Sequence, residues 1–177
     1  IKPPFPPMEA LLVDEIPSGG DWQYEPKWDG FRCLAFRDGH EVYLQSKAGQ
    51  PLARYFTEVV ELFRSFKAKR FVIDGEIVIP VEGRLSFDDL LMRIHPAASR
   101  IQKLSKEFPA TFIAFDLLVD ANGELLTSQT LVGRRRALEK FTRPELRQKR
   151  FRLSPATRDI AVARKWLKTA GGDLDGI

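Results

Sequence analysis

The sequence predicts an α+β domain of mainly antiparallel sheets flanked by helices. Three observations carry this expectation. Strand-like runs follow one another closely and are parted by tight-turn signals. The helical stretches are inserted between these runs rather than alternating with them one for one, which argues against a doubly wound parallel sheet. The 177 residues, 44% hydrophobic and 29% charged, suffice for one sizeable core.

Residues 1–20 read as an extended proline-rich lead-in, since Pro3, Pro4, Pro6 and Pro7 favour polyproline geometry. Residues 21–177 then form the domain proper. Trp22 to Lys27 alternates and is rich in aromatics, which marks a strand. Asp29-Gly30 is a tight-turn signal. Phe31 to Phe36 and Val42 to Ser46, parted by Asp38-Gly39, continue an antiparallel meander. From Tyr55 to Phe66 the period changes: Phe56, Val59, Val60, Phe63 and Phe66 fall on one helical stripe. Phe71 to Ile79 reads as a buried strand interrupted by Asp74-Gly75-Glu76. Ser86, with Asp89 three residues on, caps a helix that runs through Leu90, Leu91 and Ile94 until Pro96 ends or redirects it. Thr111 to Val119 is an apolar strand containing Asp116. Leu131, Leu138 and Phe141 mark a helix. Thr157 to Lys168 marks another, with Thr157 as cap and Gly171 or Gly172 as the stop. Leu174 to Ile177 reads as the start of a strand.

Composition narrows the function classes. No stretch approaches the roughly 20 apolar residues that cross a bilayer, and the start carries no signal-peptide pattern. No membrane partner is expected. The single cysteine, Cys33, has no internal disulfide partner, which favours a reducing, cytoplasmic setting. It reads as a small buried hydrophobe. The net charge is +4. Nine basic residues lie between Arg134 and Arg152 against two acids, Glu139 and Glu145. Such a cluster either follows a phosphate backbone or forms a solvated helix face. His40 and His95 read as turn or surface residues, Trp22 and Trp28 as packing residues.

The chemistry concentrates in Glu25-Pro26-Lys27-Trp28-Asp29-Gly30-Phe31-Arg32. A strand end beside a turn can aim a lysine into a cleft. Lys27 becomes a nucleophile there if burial or neighbouring cations bring its pKa well below the usual value of about 10.4. Gly30 allows close backbone approach. Alone, the motif equally describes a hairpin turn with a surface lysine. Downstream, Asp74-Gly75-Glu76 sets carboxylates inside an apolar strand, where each must be hydrogen bonded or hold a cation. Its plain alternative is a turn within a meander. Phe115 sits in a strand, either packed in the core or presented to a flat ring.

Taken together and in order, these blocks resemble the ATP-dependent DNA ligases, a family of covalent nucleotidyltransferases. The likeness is nearest to the small bacterial ligases and the ligase modules of bacterial end-joining proteins. It runs from about Trp22 to Ile177. Glu25 to Arg32 matches the first family motif. Ser46-Lys47-Ala48-Gly49 stands where the family has Ser-Arg-x-Gly. Asp74-Gly75-Glu76-Ile77-Val78 matches the third motif and Phe115-Asp116-Leu117-Leu118 its companion. Asp175-Gly176-Ile177 looks like the opening of the fourth.

The resemblance implies the ligase nucleotidyltransferase (ATP-grasp-like) fold and a role for each residue. Lys27 attacks the α-phosphate of ATP and becomes linked to AMP. Glu25 meets the adenine edge, Arg32 and Glu76 hold the ribose, Phe115 stacks on adenine, and Lys47 joins the nucleotide contacts. Glu76 and Asp175 bind Mg²⁺ or Mn²⁺. AMP then passes to a DNA 5′-phosphate for nick sealing, so nicked double-stranded DNA and an OB-fold domain in the full-length chain are the implied partners. The implied setting is the bacterial nucleoid, and the implied work is DNA repair or recombination. RNA ligases and mRNA capping enzymes share the lysine motif, and a non-catalytic nucleic-acid-binding module could retain the fold.

Two residues depart from the family. Lys47 stands for arginine and loses its planar fork. Asp175 stands for glutamate and is one methylene shorter. Both ends read as cut, before the lysine of the fourth motif and the whole fifth motif, and the OB-fold domain is missing. The 177-residue chain by itself is therefore expected to form little AMP adduct with labelled ATP and Mg²⁺, and to leave nicked duplex unsealed. Robust turnover on nicked DNA would overturn that expectation.

Overall fold

The structure, a computed structural model, describes residues 1–95 and 97–177. The helix end expected at Pro96 lies outside them. Among the described residues, nine strands and five α-helices follow in chain order: β1 (Lys27–Trp28), β2 (Phe31–Asp38), β3 (Glu41–Ser46), α1 (Thr57–Ser65), β4 (Arg70–Val78), β5 (Pro80–Val81), β6 (Arg84–Leu85), α2 (Phe87–Met92), α3 (Ala98–Glu107), β7 (Thr111–Val119), α4 (Leu131–Thr142), β8 (Phe151–Leu153), α5 (Ile160–Lys168) and β9 (Leu174–Gly176). A short 3₁₀ turn, Arg143–Glu145, follows α4. The α+β expectation holds. The central sheet has the order β3-β2-β4-β7-β8, antiparallel throughout except for the parallel β7–β8 pair.

The sheet has two faces of different character. Side chains alternate across a strand with a period of two. One face carries Cys33, Ala35, Phe71, Ile73, Ile77, Phe112 and Ala114 into the main core. There α1 covers it with Phe56, Val59, Val60, Phe63 and Phe66, the expected stripe. Phe63, Phe66, Phe71, Phe112 and Phe151 form one ring cluster, edge to face in the pairs Phe63–Phe66, Phe63–Phe112 and Phe66–Phe151, tilted around Phe71 and stacked between Phe112 and Phe151. Each such ring, at or below 1% exposure, contributes roughly 1.5–3 kcal/mol by burial. The opposite face begins apolar, with Leu34, Phe36, Val72 and Leu118 packed under Phe5 and Tyr43. Towards the other end of the same rows it turns polar, with Arg32 opposite Glu76 and Leu34 opposite Asp74.

This alternation corrects one expectation. Asp74-Gly75-Glu76 does not interrupt the strand; β4 runs unbroken from Arg70 to Val78. The two carboxylates alternate with Ile73, Gly75 and Ile77, so they belong to the second face and need no break. The irregularity lies instead in the pairing with β7, whose register shifts between Asp74 and Gly75. Asp74 faces Asp116 and Gly75 faces Ala114, which leaves Phe115 as the extra residue of a bulge.

Other expectations shift at element ends. Trp22 to Lys27 is not one strand: Tyr24 makes an isolated bridge to Thr157, and only Lys27–Trp28 pairs further, with β9. Pro26 between them lacks the N–H a ladder needs. Thr157 does not cap α5, because its backbone is engaged with Tyr24; Asp159 accepts from Ala161 N–H and caps the helix. α2 ends at Met92, before Ile94. The hairpin turn falls on Gly39-His40, one residue beyond the expected pair. Helix α3, the β5–β6 hairpin and β8 were not expected from sequence. Ser86 does cap α2, accepting from Asp89 N–H.

Two buried arginines tie helices to the sheet. Arg37 on β2 donates to the carbonyls of Phe63, Phe66 and Arg64 at the C-terminal end of α1, where positive charge is favoured. Arg93, fully buried, makes a two-point pair with Glu58 at 2.7 and 2.9 Å and donates to Tyr55 and Phe108 carbonyls. Glu58 also accepts from Ala110 N–H at the entry to β7.

Gly75 is where the sheet admits no side chain. A Cβ there would collide with the Ile113 carbonyl and the Phe112 ring. Gly75→Ala is expected to destabilise the fold by about 3 kcal/mol. Urea denaturation reads this directly, and a midpoint equal to wild type would refute it.

Candidate active site

The polar end of the second sheet face forms the floor of a cleft of about 910 Å³. All seven residues singled out from sequence line it: Glu25, Lys27, Arg32, Lys47, Glu76, Phe115 and Asp175. They come from five strands and two loops, so the sheet topology brings them together. A cleft of this size with a few convergent polar groups suits a nucleotide-sized ligand.

Lys27 sits on β1, which pairs antiparallel with β9, Lys27 opposite Gly176. That pairing carries Asp175 alongside, and Lys27 Nζ donates to Asp175 Oδ2. The two side chains remain 51% and 57% exposed, so the pair is open to an incoming ligand. The Asp29-Gly30 turn then lies directly on β4. A Cβ on Gly30 would strike the Ile77 carbonyl and the Glu76 and Val78 side chains. Glycine here lets the lysine-bearing turn approach Glu76. Asp173 holds the far side of the turn: its carbonyl accepts from Asp29 N–H and its carboxylate from Leu85 N–H.

Arg32 is the hub of the floor. Its guanidinium grips Asp74 with two bonds, 2.7 and 2.8 Å, lies over the Phe115 ring at 4.6 Å, and donates to the Met8 carbonyl at 3.1 Å. The diagonal reach from Arg32 to Asp74 across β2 and β4 is one a long side chain can span. Burial pushes the Asp74 carboxyl up, opposed by the hydrogen bond from Arg32. Glu76 is pushed to about 8, first by burial and then by Asp74 and Asp29, with Arg32 and Lys27 pulling the other way. Phe115 therefore has one ring face under Arg32. Next to it, Asp116 accepts from Arg134 Nε at 3.0 Å through each oxygen.

The cleft walls include residues that local sequence signals did not single out. Glu9 pairs with Lys47 at 2.8 Å. Gln45 clamps the Phe5 backbone, accepting from its N–H and donating to its carbonyl. The proline-rich lead-in is thus pinned along the cleft, with Pro7, Glu9 and Ala10 among its lining. Gln23 donates to Glu25 at 2.6 Å. Burial raises the Glu25 carboxyl, while Gln23 and the charges of Arg135 and Arg134 oppose it. Trp28 packs as expected, its indole N–H on Ser154 Oγ at 2.9 Å. Asp74 was named from sequence only within the block Asp74-Gly75-Glu76, with no role of its own. Glu9, Ser154 and Asp173 carried no local signal, because their partners lie 38 to 126 residues away or act through backbone. His40 and His95 do not line the cleft.

The donor set fits a small hard cation only in part. Among the described residues no group of three or more His, Cys, Asp or Glu side chains could hold a metal by itself. Glu76 and Asp175 flank Lys27, and magnesium commonly takes one or two carboxylates with substrate phosphate oxygens completing its shell. No helix among the described residues is long and apolar enough to cross a membrane.

Comparison with known proteins gives a consistent picture. The family model of the ATP dependent DNA ligase domain matches residues 7–177. The chain is 44% identical to DNA ligase C2 of Mycolicibacterium smegmatis over its whole length and 49% of that protein's. It is 31% identical to the bifunctional non-homologous end joining protein LigD of Bacillus subtilis, over 76% of this chain and 23% of that one. The crystal structure of the ligase domain from M. tuberculosis LigD superposes with a TM-score of 0.61 at 25% identity, covering 82% of this chain and 45% of that one. The chain thus spans about half the length of the curated ligase C relatives it matches.

The raised Glu76 carboxyl has a consequence for stability. An unfolded glutamate titrates near 4.5, the folded one near 8. Between those values the folded state binds more protons than the unfolded, so stability falls as pH rises from about 4.5 to about 8 and is flat beyond. Glu76→Gln removes that slope. Urea midpoints at pH 5, 6.5 and 8 should decline for wild type more steeply than for Glu76→Gln; equal slopes would contradict the assignment.

Proposed function

This chain belongs to the ATP-dependent DNA ligase family, and we propose that it is the adenylate-forming part of a ligase in which Lys27 carries AMP. One observation supports this above the rest. The β1–β9 pairing sets the Lys27 amine against Asp175 at a cleft floored by Arg32, Glu76 and Phe115.

The reaction we propose starts with the Lys27 amine engaged by Asp175. That contact must open before the nitrogen lone pair can reach phosphorus. The free amine arises when Asp175 exchanges that contact for another ligand and the proton leaves to solvent. Lys27 Nζ then attacks the α-phosphorus of ATP: the P–N bond forms, the P–O bond breaks, and pyrophosphate departs with its electron pair. Glu25 receives the adenine edge, Phe115 offers its ring to the base, Arg32 and Glu76 hold the ribose, and Lys47, freed from Glu9, meets phosphate. Glu76 and Asp175 would hold a Mg²⁺ or Mn²⁺, which would supply charge neutralisation on the phosphate oxygens.

AMP would next pass to a DNA 5′-phosphate, and a 3′-hydroxyl would seal the nick, with an OB-fold domain of the full-length protein closing over the cleft. Nicked double-stranded DNA is the substrate we propose. Among the basic cluster, Arg134 and Arg135 are committed within the fold, to Asp116 and to Glu139 and the Ser154 carbonyl. Arg136, Arg143, Arg147, Lys149 and Arg152 are exposed and available to DNA phosphates. We propose that it serves DNA repair and recombination in a bacterial cytoplasm, at the nucleoid; the likeness to a protein named for non-homologous end joining supports the repair part of that reading.

Mass spectrometry of the full-length gene product after incubation with ATP and Mg²⁺ tests the proposal. Wild type should gain the mass of one AMP and Lys27→Ala none, with GTP giving no adduct. A wild-type protein that gains no mass would end this reading.

A further inference from the structure

We infer that Gln23 is a specificity-determining positioning residue, whose side-chain amide locks Glu25 so that its remaining carboxylate oxygen faces the 6-amino group of an incoming purine. The inference rests on the reading of Glu25 as the residue at the adenine edge, and adds a residue that the motif does not contain.

The backbone makes this clamp possible. Tyr24 lies between the two residues and is bridged on both sides to Thr157, donating to its carbonyl at 2.8 Å and accepting from its N–H at 2.9 Å. Its hydroxyl is held by the Pro17 carbonyl at 2.7 Å. An extended residue pinned in this way sends its two neighbours to the same side. Pro26 restricts Glu25 further, since a residue before proline is held in extended geometry. Gln23 and Glu25 both line the cleft as a result. Gln23 Nε2 donates to Glu25 Oε1 at 2.6 Å, a short charge-assisted bond.

The remaining neighbours of Glu25 do not replace this contact. Arg135 donates to Glu139 and to the Ser154 carbonyl, and Arg134 to Asp116 and the Gln129 carbonyl. Their charge reaches Glu25, but their hydrogen bonds go elsewhere. Gln23 therefore decides which oxygen is occupied and which is free. A free carboxylate oxygen is an acceptor only. It complements an exocyclic amine and repels the lone pairs of a 6-oxo group, so a fixed orientation discriminates adenine from guanine. Without the clamp the carboxylate turns, and the discrimination weakens.

The test uses the full-length gene product and three triphosphates: ATP, GTP and purine riboside triphosphate, which lacks the 6-amino group. Gln23→Leu removes the donor and nearly keeps the shape. Gln23→Glu keeps the shape and sets a second acceptor beside Glu25. For AMP-adduct formation, Gln23→Leu should raise KM for ATP about fivefold, the worth of one hydrogen bond, with kcat within about twofold. KM for purine riboside triphosphate should stay put, so the preference for ATP over it falls about fivefold. Gln23→Glu should lose more on ATP, at least about tenfold, and again little on purine riboside triphosphate. Equal losses on both nucleotides would show a merely structural residue and overturn the inference, as would an unchanged preference in either variant. A wild-type protein that forms no adduct with any triphosphate would remove the parent reading instead, and this inference with it.

Discussion

The two-point grip of Arg32 on Asp74 is the interaction on which the cleft depends. Asp74 is almost wholly buried, and a carboxylate in that position is tolerable only with a charged partner in good geometry. Removing such a partner typically costs about 3–5 kcal/mol, because the remaining charge is stranded. The same guanidinium covers Phe115 and takes the Met8 carbonyl. One side chain therefore joins β2, β4, β7 and the lead-in at the place where the sheet face changes from apolar to polar.

Glu76 is the counterpart of that stability. It shares the floor with Asp74 and lies near Arg32 and Lys27, yet burial dominates and holds its carboxyl far above the ordinary range. An acid kept this way is a reserve of unsatisfied binding capacity, typical of sites built to receive a ligand or cation. Gly75 between the two acids, and Gly30 above them, let three layers of backbone and side chain approach more closely than any other residue would allow.

Much of this was legible along the chain. The stripe of Phe56, Val59, Val60, Phe63 and Phe66, the strand from Thr111 to Val119 and the Ser86 cap all follow local rules of period and capping, and all stand in the structure. The seven residues that share the cleft were named along the chain too, because the ordered blocks resemble a known family. The apparent break at Asp74-Gly75-Glu76 was misread because polarity inside an apolar run looks like a turn when only neighbours are seen. In three dimensions the same alternation is a strand with one wet face. Thr157 was misread for a related reason: its hydroxyl suits a cap, but its backbone is claimed by Tyr24, 133 residues earlier.

The sequence by itself determined which chemical groups are present, their order, and the local conformations that carry them, since these depend on residues within a turn or a strand of each other. Only the tertiary structure decided which groups meet. The pairings of Lys27 with Asp175, Arg32 with Asp74, Glu9 with Lys47 and Trp28 with Ser154 span separations that no local pattern encodes. They arise because burying the phenylalanine face against α1 sets the register of β2, β4 and β7, and that register places every side chain on the opposite face.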